Sequence, residues 1–387
     1  MRKNITNSSR RTKIAFVFNH PFFLGGGERS FFELIRSIDR ERFEPIVIIP
    51  ERGEIEEKCA EGEIQSFVAS FPPLKDLLLG TPARALLDLI KLLKKINAEI
   101  IHVNGSRVGL YGGIAGRLLR VPVIWHVRET IQDLFFYDGT LASLAQAIIC
   151  VSKSVHSKRF ARFGKKINHK IAVVYNGVDT ARFRKKNEAR QSLRKELKIK
   201  DETLFGIVGN IIPLKAHDFF LKGLGEAKER KPDIQVSVLI VGHVLDKSFD
   251  EKIRLIVSQM NMTRKIIFRP HLDEIAQVFS ALDVFALPSR REGFSRSLLE
   301  AMSCGLPVLA TKISEIEEAV VEGENAFLVN TGDEEAMANA IIRLTKDETI
   351  RKDMGERNRT RAVELFNLRR HAESVGMIYD SVLHRKS

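Results

Sequence analysis

Cysteine is scarce in this 387-residue chain, and the three present, Cys59, Cys150 and Cys304, are odd in number and far apart. That excludes a disulfide framework and the paired spacing of a cysteine-ligated metal, and it fits a reducing compartment. No apolar run approaches the ~18 residues that span a bilayer, and the run behind the polar, basic start, Ile14 to Phe18, is too short for a signal-peptide core. A soluble, unexported protein is expected. Asp-x-Asp is absent and no His/Cys cluster has ligand spacing, so no bound metal is expected. The chain has one Trp and four Tyr, which leaves little for base stacking. Its net charge of +13 would draw nucleic acid, an anionic membrane or a negatively charged substrate alike. The Lys and Arg are spread along the chain rather than blocked together, so a nucleic-acid partner is not expected.

What is present is alternation. Short β-branched runs at Lys13 to Asn19, Glu44 to Pro50, Ile64 to Ala69, Glu99 to Asn104, Pro122 to Val127, Ala147 to Ser152 and Ile171 to Tyr175 are separated by helix-period stretches. Their apolar continuity predicts strands covered on both faces, as in a parallel sheet with crossover helices. A charged segment, Arg182 to Lys200, reads as a linker with a leading helix. A second series follows at Leu204 to Val208, Gln235 to Val241, Lys265 to Phe268, Asp283 to Leu287, Pro307 to Ala310 and Phe327 to Val329, and the chain ends in an amphipathic stretch from Leu368 to Leu383. The expectation is α/β, two doubly wound Rossmann-like lobes facing a central cleft: residues 1–184, residues 185–366, and a C-terminal helix, 367–387, crossing back to the first lobe. At 44% hydrophobic content each lobe can fill a core. Open sheets of this kind bind ligands beyond the carboxyl ends of their strands.

The densest motif runs from Pro288 to Pro307. It leaves an apolar strand, turns at Gly293 and opens a helix near Ser295, which puts Glu292 in the loop and Glu300 about two turns into the helix. Free N–H groups at such a helix start suit a diphosphate. A helical carboxylate can accept paired hydrogen bonds from vicinal hydroxyls, and a loop carboxylate can do the same for a sugar ring. Alone, the two glutamates would read as a capping residue and a solvent-facing one. Their setting decides otherwise. Glu292 and Glu300, with seven residues between them, within Pro-Ser-x-x-Glu-Gly-Phe-Ser-x-x-x-Leu-Glu-Ala-Met-x-x-Gly-x-Pro-Val, resemble the Glu-x7-Glu signature of retaining glycosyltransferase family 4, with its GT-B fold.

The resemblance extends along nearly the whole chain. Leu24 to Arg29, with Gly25, Gly26 and Gly27, is similar to the family's glycine-rich loop, and Tyr175 to Asp179 to its Asn-Gly-Val-Asp turn. Gly209 to His217 resembles the Gly-Arg-Leu-x-x-x-Lys-Gly-His segment, with Asn210 where the family has arginine. Ser314-Glu315 replaces the family's paired glycines, and Glu318 is retained. The resemblance implies transfer of a sugar from a nucleotide-diphosphate sugar to a glycan, lipid-linked or small-molecule acceptor, with retention and without a metal or other cofactor. It assigns His126, Glu292 and Lys215 to catalysis. Gly26, Gly27, Asn210, Lys215, His271, Glu292, Gly293, Phe294, Ser295, Arg296, Ser297 and Glu300 are assigned to the donor. In this scheme Lys215 sets a point charge on the leaving diphosphate, Arg296 or Arg291 makes good the missing arginine, Glu300 holds the ribose, and His126 hydrogen-bonds the sugar.

Two other classes remain at this stage: a nucleotide-sugar epimerase of the same architecture, and a non-catalytic partner subunit kept in view by Asn210. The expected location is cytoplasmic. The basic first lobe and the aromatic segment Leu134 to Tyr137 add peripheral contact with an anionic membrane at its inner face, although a solvated face over core aromatics accounts for them nearly as well.

Overall fold

The computed structural model describes residues 10–73, 80–130, 135–270, 272 and 274–384. The chain divides into two compact units, Met1–Tyr175 with Leu368–Ser387, and Asn176–Asn367.

The N-terminal unit runs β1 (Thr12–Val17), α1 (Gly26–Ser37), β2 (Phe43–Ile49), α2 (Glu54–Glu61), β3 (Gln65–Val68), α3 (Thr81–Ile96), β4 (Ile100–Asn104), α4 (Ser106–Leu119), β5 (Val123–Val127), α5 (Phe135–Leu144), β6 (Ala147–Cys150), α6 (Lys153–Phe160), α7 (Lys165–Asn168) and β7 (Ile171–Val173). Its seven strands are all parallel, in the order β3-β2-β1-β4-β5-β6-β7. β1, β2, β4, β5 and β6 are buried over nearly their whole length, as continuous apolar runs between two helix layers must be. The order reverses between β1 and β4, the position at which open sheets of this kind place their ligand-binding loops.

The C-terminal unit runs α8 (Asn187–Glu196), β8 (Thr203–Val208), α9 (His217–Arg230), β9 (Val236–Val241), α10 (Lys247–Gln259), β10 (Ile266–Arg269), α11 (Ile275–Ala281), β11 (Val284–Leu287), α12 (Arg296–Ser303), β12 (Val308–Thr311), α13 (Ser314–Glu317), β13 (Ala326–Val329), α14 (Glu334–Lys346) and α15 (Glu348–Leu365). Its six parallel strands are ordered β10-β9-β8-β11-β12-β13, so here the reversal lies between β8 and β11. The last helix, α16 (Leu368–His384), belongs to the N-terminal unit. There it buries Val375, Tyr379 and Val382 beside Phe16, Phe31 and Phe43, and Arg42 clamps Asp380 at 2.6 Å.

All thirteen strands lie within two residues of the apolar runs that predicted them. The division expected at 184/185 falls instead after Tyr175. The Asn-Gly-Val-Asp turn is already part of the C-terminal unit, because Val178 N–H donates to the Phe366 carbonyl at 2.8 Å and Asn176 Nδ2 donates to the Phe294 carbonyl at 3.0 Å. Phe183 is buried against Phe279 in the same unit. The second division moves by one residue, from 366/367 to 367/368.

Candidate active site

In the C-terminal unit the loops after β8 and β11 meet where the strand order reverses. Gly209, directly after β8, is pressed against the loop after β9: a Cβ on Gly242 would stand 2.0 Å from the Gly209 carbonyl oxygen, so only hydrogen fits there. The chain then makes a 3-10 turn over Pro213–Lys215 and passes through Ala216 at φ +48 before α9 begins. That left-handed residue stands where the resembling segment carries glycine, and a side chain there is strained.

The second loop is stitched to the first. Arg290 N–H donates to the Leu214 carbonyl at 2.9 Å and its Nη1 to the Pro213 carbonyl at 2.8 Å. Two side chains 77 positions apart are thereby joined: Lys215 Nζ lies 2.6 Å from Glu292 Oε1, both largely buried. Arg290 was not singled out by sequence, since nothing local marks it from Arg291, which is exposed.

Gly293 and Phe294 lead into Ser295, whose Oγ caps α12 by accepting from Leu298 N–H at 3.4 Å and lies 3.3 Å from Ser297 Oγ. The N–H groups of Arg296 and Ser297 belong to the first turn and are not bonded within the helix, so they carry the positive end of its dipole. Glu300 is the fifth residue of α12, little more than one turn in rather than two. It is buried, and Arg296 Nε donates to its Oε1 at 2.6 Å. Arg296, expected to brace phosphate, is thus turned along the helix onto Glu300, as an i,i+4 pair allows.

Asn210 lies in the loop leaving β8, ahead of Lys215. His217, at the start of α9, is fully buried and neither ring nitrogen has a hydrogen-bond partner among the described residues. Burial, reinforced by Lys215, pushes it down to about 4. Ser314 and Glu315 open α13, where Glu315 is buried. His271 lies outside the described residues. Among the described residues no group of three or more His, Cys, Asp or Glu is placed to hold a metal ion, and no helix is long and apolar enough to cross a membrane.

In the N-terminal unit Gly26 and Gly27 form the first turn of α1, with Gly25 as an N-cap that makes no side-chain cap bond. A Cβ on Gly27 would meet Arg128 Cδ at 3.4 Å. Arg128 in turn donates from Nε to Asn104 Oδ1 at 2.7 Å and from Nη1 to Ser30 Oγ at 3.2 Å. His126, expected to face a sugar, lies within β5 and has no exposed surface. Its ring stacks on that of His102 at 5.3 Å and 10°.

The hydrogen bonds of this cluster assign its tautomers. Arg128 Nη2, which can only donate, is 3.4 Å from His126 Nδ1, so that nitrogen is an acceptor. His102 Nε2, 3.2 Å away, then carries a proton and donates to it. His102 Nδ1 is left to accept from Tyr379 O–H at 2.7 Å. The remaining His126 proton sits on Nε2, a buried donor with no partner among the described residues. Burial first, and Arg128 second, hold both His102 and His126 well below the usual histidine range. His371, on α16, donates from Nδ1 to the Tyr175 carbonyl at 2.7 Å and is pushed down to about 4 by burial and Arg128. His102, His371 and Tyr379 escaped the sequence reading because they come from three distant segments. The one available signal was a histidine inside the aliphatic strand Ile100–Asn104.

Two family models match the chain side by side: Glycosyltransferase Family 4 over residues 24–182 and Glycosyl transferases group 1 over residues 189–361. The UDP-Gal:alpha-D-GlcNAc-diphosphoundecaprenol alpha-1,3-galactosyltransferase of Escherichia coli is 25% identical over 97% of this chain and 98% of its own. The capsular polysaccharide biosynthesis glycosyltransferase CapM of Staphylococcus aureus is 26% identical over 81% and 84%. Among solved structures, Anabaena HepE in complex with UDP-glucose superposes with a TM-score of 0.84 at 21% identity, covering 96% of this chain and 100% of that one. The fold is therefore that of the GT-B glycosyltransferases. These relatives are transferases, which does not favour the epimerase or partner-subunit readings.

Proposed function

This chain belongs to glycosyltransferase family 4, and we propose that it moves a hexose from a nucleotide-diphosphate sugar to a glycan or lipid-linked acceptor with retention and without a bound metal. The observation that carries this reading is the 2.6 Å pair of Lys215 and Glu292 formed between the two switch-point loops, next to the helix that bears Glu300.

As the bond between the anomeric carbon and the diphosphate oxygen breaks, its electron pair stays with the leaving diphosphate, the acceptor hydroxyl oxygen bonds to the anomeric carbon on the same face, and its proton passes to the departing diphosphate. Lys215 and the first-turn amides of α12 oppose that charge, which stabilises the transition state more than the bound donor. Glu300, held in one rotamer by Arg296, accepts from the ribose hydroxyls. Glu292 orients Lys215 and accepts from hydroxyls of the transferred sugar. No side chain is assigned the role of a covalent nucleophile. The lipid-diphosphate acceptor in the name of the Escherichia coli relative and the UDP-glucose in the HepE complex support a lipid-linked acceptor and a UDP-sugar donor here. An anionic membrane face is the setting in which such an acceptor would be met.

Replacing Glu300 with Ala should lower kcat/KM by about 100-fold, the worth of a charged, paired hydrogen bond, with much of the loss in donor affinity. Near-normal donor binding and turnover in that variant would falsify the ribose assignment. Turnover should also survive a chelator; loss of activity restored by manganese would remove the metal-free mechanism.

A further inference from the structure

The surface formed by α5, α6 and α7 of the N-terminal unit combines positive charge with exposed aromatic side chains. From Gly139 to Val178 the chain contains no Asp or Glu, while seven Lys and Arg lie between positions 153 and 170. Asp138, just ahead of this stretch, is fully buried and neutralised by Arg159 at 2.8 Å and Arg162 at 2.6 Å. The remaining basic groups therefore meet no carboxylate from their own segment. The ammonium groups of Lys165 and Lys166 are exposed and have no hydrogen bond or ion pair among the described residues.

Beside them stands an aromatic step. Phe136 is 83% exposed and Phe135 49%, both at the start of α5. Phe135 stacks on Phe163 at 4.8 Å, and the Arg162 guanidinium lies over both rings at 5.4 and 5.0 Å. Arg162 is thus fixed between a buried carboxylate and two rings, and it props the aromatic step outward. A groove of about 430 Å³ runs between α5 and α7, walled by Phe135, Gly139, Phe163 and Lys166.

Exposed phenylalanines lose free energy in water and gain it at a headgroup boundary, and lysines around them are drawn to a negative surface. Both terms favour the same occupant. We propose that this face docks on the surface of an anionic lipid bilayer, with Phe136 entering the headgroup boundary and Lys165 and Lys166 pairing with lipid phosphates. The inference deepens the transferase reading, on which it rests only for why a membrane would matter; the docking itself needs no donor and no turnover.

The test is sedimentation of the full chain with vesicles of phosphatidylcholine alone or mixed with phosphatidylglycerol, without nucleotide sugar. The chain should pellet with the mixed vesicles, stay in solution with the neutral ones, and be released by high salt. Neutralising both lysines (Lys165→Gln with Lys166→Gln) should lower the partition constant by about 30-fold, and Phe136→Ser by about tenfold. Both variants should keep wild-type circular dichroism and wild-type hydrolysis of the donor. Equal pelleting with both vesicle types, pelleting with neither, or variants that pellet like the wild type would overturn the proposal. Pelleting as expected from a chain that transfers no sugar would sink the transferase reading and leave the docking face standing.

Discussion

In the C-terminal unit the polar groups beyond the strand ends are charged and paired: Lys215 with Glu292 across two loops, and Arg296 with Glu300 along α12. In the N-terminal unit the corresponding groups are neutral rings sealed inside the sheet and closed over by α16, with Arg128 as their one strong charge. The two units share a doubly wound sheet and a reversal of strand order, so the difference is not one of architecture. A charge that must act on a diphosphate has to keep some access to solvent and ligand, and loops at the switch point provide it. Neutral rings can be buried because their bonds to one another, to Arg128 and to Tyr379 replace bonds to water.

The contrast breaks most sharply at Lys215. Lys215→Met should cut kcat by about 100- to 1,000-fold, the usual worth of a group that stabilises developing charge, while the N-terminal unit stays folded. A fall confined to KM would show that the lysine binds donor and transition state alike.

Acid should separate the two units next. An unfolded histidine titrates near 6.5, whereas His102, His126 and His371 are all held lower when folded. Between those values the unfolded chain binds more protons than the native one, so stability is whole above about pH 6.5 and falls as pH drops toward the folded values. For His371, lowered to about 4, the full loss is about 3 kcal/mol. Among its described residues the C-terminal unit has one such histidine, His217. Its depressed carboxylates, among them Glu202, Asp218 and Asp283, withdraw their contributions only as pH falls through and below the ordinary carboxylate range. At pH 5, hydrogen exchange should therefore open the N-terminal unit first, and the reverse order would contradict this account.

A smaller effect is expected at the closing helix. Tyr379→Phe removes the donor to His102 Nδ1 and leaves that acceptor buried and unbonded, at a cost of about 1 to 3 kcal/mol. Urea unfolding should show the loss in the N-terminal unit, with nucleotide binding unchanged. The smallest is Ala216→Gly, which relieves a left-handed alanine but frees the unfolded chain. The net gain should be about 0.5 kcal/mol, visible as a slightly higher Tm.

The strands, both sheets and the Glu-x7-Glu segment could be read from the residues because each is a local pattern: an apolar run of strand length, a turn at Gly293, a cap at Ser295. The pairing of Lys215 with Glu292 could not, since it depends on which strands become neighbours in the sheet. Arg296 shows the limit within a single helix. Its basic character suggested a phosphate ligand, but nothing in the local sequence showed that the folded side chain would lie along α12 against a buried carboxylate four residues on. The place where one unit ends was also hidden, because a two-residue bridge between Val178 and Asn367 leaves no trace in composition.

The amino-acid order alone settled where strands and helices form, that there are two α/β units, and which short segments carry the chemistry, because propensity, periodicity and turn residues act over a few positions. Folding in three dimensions settled the rest: which carboxylate each cation meets, which histidine nitrogen keeps a proton, and which unit the last helix joins. Those outcomes follow from burial and from contacts between residues far apart in the chain, and such contacts exist only once the sheets have chosen their strand order.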